Sequence, residues 1–130
     1  MTVEHLSQEW LDVTRELAAS QPEHPGATAR IQYVISGAPS GTVEYAWDLQ
    51  DGRLLASFLG RIADPDITIR AGHADWVAIA RGDLDLEGAF LQGRVTVDGP
   101  PGVFLRLLPL TRSAEYVALQ REVRAVTDFG

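Results

Sequence analysis

Hydrophobic residues near both ends of the chain recur at spacings of three and four, which is typical of one face of a helix. At the amino-terminal end this pattern predicts a helix over residues 3–19. The prolines and the glycine within 21–26 end it, because neither residue type favours a continuing helix. At the other end the same pattern predicts a helix over 113–127, which Thr111 or Ser113 caps.

Between residues 29 and 59 the period changes to two, which predicts strands with one buried face. The first two strands alternate over 29–36 and 42–49, and Asp51-Gly52 is a strong signal for a hairpin into a third strand. The third segment, 54–59, alternates less clearly, so we expect burial on both of its faces. Together these segments predict a three-stranded antiparallel meander with one apolar face.

A run of shorter elements follows Pro65. We expect, in order, a strand at 67–71, a helix from Gly72 to Gly82, a helix from Asp85 to Gly93, a strand at 95–97, and a helix that 99–102 opens and Pro109 ends. No linker, internal repeat or low-complexity segment interrupts this order. The pattern therefore predicts one α+β domain over 1–130, in which helices cover a five-stranded sheet.

The charge balance limits the classes of partner that we expect for this chain. The chain has 130 residues, 18 acidic side chains, 11 basic ones and a formal net charge of -7. Its basic residues are all arginine and form no basic run, which argues against nucleic acid as a partner because phosphate contacts supply most of that affinity. Anionic headgroups repel such a surface, so we expect no stable membrane association.

The same sequence gives no sign of export. Its longest purely apolar run has about five residues, whereas spanning a bilayer takes about 20. Its first residues are acidic where a signal peptide has a basic segment and an apolar core. Cysteine is absent, so no disulfide scaffold or thiolate metal site is expected. We predict a cytoplasmic location.

No familiar catalytic motif is present. His5, His24 and His73 have no histidine or carboxylate at metal-ligand spacing, so no metal and no cofactor are predicted. Residues 83–88 open like a calcium loop, but its twelfth position is Arg94 rather than glutamate. We therefore interpret those acids as helix caps, and we assign no catalytic residue.

The segment from 64 to 99 resembles the sterol carrier protein 2 family. The matching positions are Asp75-Trp76, Ile79, Gly82-Asp83-Leu84-Asp85, Ala89-Phe90, Gln92-Gly93-Arg94, Val95, Val97 and Gly99. The resemblance implies a five-stranded sheet covered by helices around an apolar tunnel, in which members of the family bind fatty acids, acyl-CoA, sterols and other lipids. Several members that transfer lipids are basic, whereas this chain is acidic, so we expect weak transfer to anionic membranes.

Eight residues are candidates for the ligand-binding wall of that tunnel. They are Trp76, Ile79, Phe90, Gln92, Phe104, Leu107, Tyr45 and Trp47. Each apolar one is equally compatible with ordinary core packing, and Gln92 with a hydrogen bond at a helix end. Aromatic residues on one sheet face, here Tyr33, Tyr45 and Trp47, provide either core or a flat wall for a ligand.

Two classes of function fit this reading. In the first, the protein binds and carries an apolar small molecule such as a fatty acid, acyl-CoA, sterol or isoprenoid. In the second, it is an enzyme or biosynthetic accessory that uses the same tunnel for a polyketide, isoprenoid or quinone precursor. The second class requires an acid or a base inside the cavity, and the candidates are His73, Asp75 and Tyr45.

Overall fold

The computed structural model describes residues 2–130 and consists of five helices and two sheets. In chain order the elements are β1 (Val3–Glu4), α1 (Gln8–Ala18), β2 (Ala29–Ala38), β3 (Gly41–Gln50), β4 (Arg53–Leu59), β5 (Ile67–Gly72), α2 (His73–Arg81), α3 (Leu86–Leu91), β6 (Val95–Asp98), α4 (Pro101–Thr111), α5 (Ala114–Ala125) and β7 (Thr127–Asp128). The predicted α+β class and the five-stranded sheet are confirmed.

The main sheet has the strand order β4-β3-β2-β5-β6. Strands β2, β3 and β4 form the predicted antiparallel meander, and positive φ angles at both Asp51 and Gly52 make the tight turn between the last two. Strand β5 then pairs with β2 in parallel, and β6 pairs with β5 antiparallel. Because of that parallel pairing, β2 lies at the centre of the sheet.

One face of this sheet carries the core. Ile31, Tyr33 and Ile35 of β2 are buried on it, as are Tyr45 of β3 and Ile69 of β5. This alternation follows directly from the two-residue period of strands, since successive side chains point to opposite faces. The helices cover this face, and the buried residues form one continuous hydrophobic cluster with them.

The other face of the sheet is partly covered by the loop after β4. Gln32 points to this face and is buried, and its amide donates to the carbonyl oxygens of Tyr45 (3.1 Å) and Gly60 (2.9 Å). Its side-chain oxygen accepts from the backbone N–H of Ile62 at 2.9 Å. A single buried amide therefore fixes the course of the loop.

The predicted amino-terminal helix is five residues too long at its start. Ser7 caps α1 by accepting from the backbone N–H of Trp10 at 3.1 Å, and Leu6 before it has a φ of 64° that breaks the helical path. Residues 3–4 instead pair in parallel with 127–128, at the end of the chain. The apolar spacing of 3–6 thus reflects burial against the carboxyl terminus rather than helix.

Two further expectations are wrong. Strand β4 is not buried on both faces, because it forms the sheet edge, and Leu55 and Leu59 are 52% and 42% exposed. Pro109 does not end α4 but lies inside it, and the helix continues to Thr111. The last helix is capped by Ser113, whose hydroxyl accepts from the backbone N–H of Tyr116.

No helix in the described part of the chain is both long enough and apolar enough to cross a membrane.

Candidate functional site

Five aromatic side chains meet between the sheet and the helices, and we call them the aromatic cluster: Trp10, Tyr33, Tyr45, Trp47 and Trp76. Tyr33 and Tyr45 are cross-strand partners, and their rings stack with centroids 4.4 Å apart. Trp76 is tilted against Tyr33 at 5.5 Å, and Trp47 meets the same ring edge-on at 5.6 Å. The predicted aromatic sheet face therefore exists and is a packed wall.

Helix α2 joins this wall through a hydrogen bond. Gly72 begins the helix and Gly82, with a φ of 81°, ends it, so Trp76 falls on the side that faces β3. The indole N–H of Trp76 donates to the hydroxyl oxygen of Tyr45 at 2.9 Å, and both residues are buried. The bond fixes both rings at the centre of the aromatic cluster.

The phenols of this interior are held in their neutral form. Burial raises the pKa of Tyr45 far above its usual value, although the indole N–H of Trp76 opposes the shift. Burial likewise raises the pKa of Tyr33, with Tyr45 and Tyr116 adding to it, and raises the pKa of Tyr116 to about 12. Such groups donate and accept neutral hydrogen bonds but do not act as bases near neutral pH.

The other predicted wall residues lie on α2, α3 and α4. The rings of Phe90 and Phe104 lie 4.9 Å apart, Leu107 is buried one turn beyond Phe104, and Ile79 is half-buried against the same core. Seven of the eight predicted residues thus contribute to one apolar interior. Leu91 and Leu105, their neighbours in the chain, are instead exposed at 76% and 58%.

Gln92 is the exception among the predicted residues. It is exposed, and its backbone N–H ends α3 by donating to the carbonyl of Gly88 at 3.0 Å. The chain turns outward there, since Gly93 follows with a φ of 75°. Its side chain therefore does not face the apolar interior.

The interpretation of the acidic turn as a pair of caps is partly confirmed. The carboxylate of Asp85 accepts from the backbone N–H of Gly88 at 3.0 Å, whereas Asp83 is simply exposed. No group of residues in the described part of the chain has the arrangement of a metal site.

Two surface clefts of about 280 and 430 Å³ lie on the outer face of the sheet, away from the aromatic cluster. The first surrounds Gln32 and Arg61, and the second surrounds Arg30 and Asp66. None of the predicted wall residues lines either cleft. The tunnel between sheet and helices stays a prediction, and the aromatic rings occupy the space in which we expect it.

The three candidates for acid–base chemistry occupy separate settings. Tyr45 is bonded to Trp76, His73 lies beside His5 with ring centroids 6.4 Å apart, and Asp75 faces Arg94 at 3.9 Å. No described hydrogen bond or ion pair joins them.

Sequence reasoning missed three residues that share this interior. Trp10 meets Tyr45 edge-on at 6.0 Å, and Tyr116 lies close enough to raise the pKa of Tyr33 and Tyr45. Both stood on predicted helix faces, but the sequence did not indicate which sheet residues those faces would meet. Ser57 is buried opposite Trp47, and only the register of β3 and β4 reveals it.

Comparisons with known proteins agree with the fold. The model of the SCP-2 sterol transfer family matches residues 13–112, which is most of the chain. No curated protein sequence matches significantly.

Solved structures of sterol carrier proteins are similar to this chain. A crystal structure of sterol carrier protein 2 has a TM-score of 0.70 at 17% identity, and the match covers 94% of this chain and 98% of that one. Palmitated SCP2L2 from Aedes aegypti, solved by NMR, has a TM-score of 0.63 at 23% identity, with 88% and 98% coverage. SCP2-L2 from the same organism, in a crystal structure, has 0.62 at 24% identity, with 78% and 92% coverage. With a family match that includes the meander, α2, α3 and α4, the chain belongs to the SCP-2 sterol transfer family.

Proposed function

We propose that this protein binds one apolar small molecule between its sheet and helices α2, α3 and α4, and that it acts as a carrier. The observation that carries the proposal is the family match, because residues 13–112 include every member of the predicted wall. The palmitated structure of a similar fold supports fatty acids as one ligand class. Sterols, acyl-CoA and isoprenoids are the other classes that we propose.

The proposed wall consists of the seven predicted residues that are buried or half-buried. They are Tyr45, Trp47, Trp76, Ile79, Phe90, Phe104 and Leu107. Flat aromatic rings beside aliphatic side chains provide the kind of surface that an apolar ligand contacts in most binding pockets. Gln92 lies outside this wall.

A ligand needs space that the rings now occupy, so binding requires some of them to move. We propose helices α3 and α4 as the part that moves, because each carries an exposed leucine beside its inward phenylalanine. Their ends are joined by the ion pair of Glu87 with Arg112. We therefore propose that the two helices shift together.

The expected affinity follows from the buried hydrocarbon. Each methylene contributes about 0.8 kcal/mol, so a chain of about 14 gives a gross gain near 11 kcal/mol. Association and ordering cost at least about 4 kcal/mol. The net of about -7 kcal/mol corresponds to a dissociation constant on the order of 10 μM.

Two measurements test the proposal. Native mass spectrometry of protein purified without detergent identifies any co-purifying lipid by its mass. Titration with a fluorescent fatty acid, followed by tryptophan quenching, gives the affinity. No saturable signal with a fatty acid, sterol or isoprenoid up to about 100 μM would remove the carrier function, since that is about tenfold above the expected constant.

A pair of alanine variants locates the ligand. Trp76→Ala should weaken fatty acid binding, because it removes a ring from the proposed wall. Leu119→Ala is the matched control, since Leu119 is buried on α5 but lies outside the main core cluster. Equal losses of affinity in both variants would show that Trp76 acts through stability alone.

The cytoplasmic location and the weak delivery of ligand to anionic membranes stay predictions. Because the net charge is -7, transfer to anionic vesicles should be slower than to neutral ones at low salt, and the difference should shrink as salt screens the repulsion. Faster transfer to anionic vesicles would show that a local group of arginines governs docking instead.

A further inference from the structure

Two buried polar atoms without a hydrogen-bond partner lie on directly paired residues of β3 and β4. They are the indole Nε1 of Trp47 and the hydroxyl Oγ of Ser57. Residues that oppose each other in an antiparallel pair have Cβ atoms about 5 Å apart and side chains on the same face. The two side chains therefore leave the sheet side by side on the same face, and we call this pair the polar spot.

This polar spot faces the helices and not the outer clefts. Trp47 lies two residues from Tyr45 on the same strand, so both point into the interior, and its ring meets Tyr33 at 5.6 Å. Ser57 is 5% exposed. Above it, the side-chain amide of Gln8 on α1 donates to the carbonyl of Ser57 and accepts from the N–H of Leu59. The spot is thus bounded by α1 and by the aromatic cluster.

Other polar side chains of the interior already have partners. The hydroxyl of Thr14 donates to the carbonyl of Trp10 at 2.8 Å, and Thr127 donates to Val123 while it accepts from the indole of Trp10. Among the described residues, the remaining buried atom without a partner is Nε2 of His5, which lies beside Phe129. A buried donor without a partner carries a desolvation penalty that lowers stability. An oxygen atom that accepts from both Trp47 and Ser57 would remove that penalty.

The charge of the surrounding buried side chains determines which kind of oxygen atom can bind at the polar spot. An indole N–H donates only, and a serine hydroxyl donates or accepts, so the spot offers two neutral donors. No charged side chain is among the buried residues that the structure describes. An ionised carboxylate placed there would lack a compensating cation, and burying it would be far more costly than burying a hydroxyl or a carbonyl.

We propose that Nε1–H of Trp47 and Oγ–H of Ser57 bind the neutral oxygen of the ligand, a hydroxyl or a carbonyl, while its hydrocarbon part lies against Tyr33 and the rest of the aromatic cluster. The inference rests on the proposed function and narrows it to apolar molecules with one neutral polar end. Trp47 was predicted as part of an apolar wall, and its role here is polar as well.

The test uses 1-dodecanol and dodecane, which differ by one hydroxyl, as competitors of a fluorescent fatty alcohol, a probe with the neutral oxygen that the proposal requires. Both are delivered from cyclodextrin, whose own affinity cancels when variants are compared with the same competitor. Ser57→Ala removes one donor with little change of shape. Trp47→Phe removes the other donor together with part of the ring, and the dodecane competitor measures the effect of that smaller ring separately. Each should weaken dodecanol binding by about 5- to 30-fold, the loss of one hydrogen bond, and change dodecane binding by less than about twofold.

Trp10→Phe is the matched control, because its indole N–H already has a partner in Thr127. It should change the affinities for both competitors by the same factor. Equal factors for dodecanol and dodecane in Trp47→Phe and Ser57→Ala would overturn the inference and leave the carrier function intact. Failure of the wild-type protein to bind the fluorescent alcohol, both competitors and a fatty acid would overturn the two together.

Two further readouts complete the test, and the first does not depend on how well the variants fold. In the wild-type protein, the indole N–H resonance of Trp47 should move downfield with dodecanol and stay in place with dodecane. A shift of equal size with both would show that this donor does not contact the hydroxyl. A larger loss for dodecanoate than for dodecanol in Ser57→Ala would overturn the neutral character of the site.

Discussion

The hydrogen bond between Trp76 and Tyr45 gives a sharp test of how the aromatic cluster is held together. It joins α2 to β3 at 2.9 Å, and both residues are almost fully buried. Tyr45→Phe removes the acceptor and leaves the indole N–H buried without a partner. Trp76→Phe removes the donor and likewise leaves the hydroxyl of Tyr45 buried without a partner.

Each single substitution should lower the free energy of unfolding by about 1–3 kcal/mol, the desolvation penalty of the group left behind. Trp76→Phe should lie at the upper end, because the smaller ring also leaves a small cavity. The double variant has no unpaired group. Its loss should therefore be smaller than the sum of the single losses by at least about 1 kcal/mol.

Urea unfolding followed by circular dichroism measures these values without relying on tryptophan emission, which the substitutions alter. The control cycle pairs Tyr45→Phe with Trp10→Phe, whose ring meets Tyr45 edge-on but whose N–H bonds Thr127. The coupling free energy between the two substitutions of this control cycle should be near zero. Additivity of Trp76→Phe and Tyr45→Phe within about 0.5 kcal/mol would refute the hydrogen bond as the link between helix and sheet.

Three other predictions follow from single side chains. Burial, with His73 and Arg81 adding to it, lowers the pKa of His5 to about 4, so the folded state should lose stability as pH falls from about 6.5 to 4. Because the ring is only partly buried, we expect a loss of about 1–2 kcal/mol, and His5→Phe should lack this component in urea unfolding at each pH. Gln32→Leu should free the loop after β4, and hydrogen exchange at the Ile62 amide should accelerate; unchanged protection there would contradict the anchoring role. Gly82→Ala should lower the melting temperature, because its φ of 81° costs an L-residue about 1 kcal/mol, whereas Gly102→Ala in the open first turn of α4 should leave it unchanged or raise it.

Turns and helix ends were predicted from the sequence because a few adjacent residues determine their backbone angles and caps. The turn at Asp51-Gly52 requires two positive φ angles, and that dipeptide adopts them more easily than others. The ends of α2 at Gly72 and Gly82 and the cap of α3 at Asp85 were predicted for similar reasons. The prediction for Pro109 was wrong: proline lacks the N–H that would bond the carbonyl of Leu105, but α4 continues for two residues beyond it to Thr111.

The candidate site was predicted as a set of apolar residues and not as an arrangement. Strand alternation placed Tyr33, Tyr45 and Trp47 on one face, and the family resemblance added Trp76. Gln92 was assigned inward because its helix is short and otherwise apolar, but the chain turns outward at Gly93. The direction of a side chain at a helix end depends on the path of the next segment, which no local pattern contains.

What the sequence by itself determined is the order of elements, the meander, the caps and the apolar stripes, since each depends on residues within about one helical turn or one strand. Only the tertiary structure decided that β5 pairs in parallel with β2, that residues 3–4 join 127–128, and that Ser57 lies opposite Trp47. These contacts join segments distant in sequence, and they form only when burying the shared apolar face outweighs the entropy of closing the loops between them. The unpaired donors of Trp47 and Ser57 belong to that second class, because a buried polar atom is recognised as unpaired only when its whole surroundings are known.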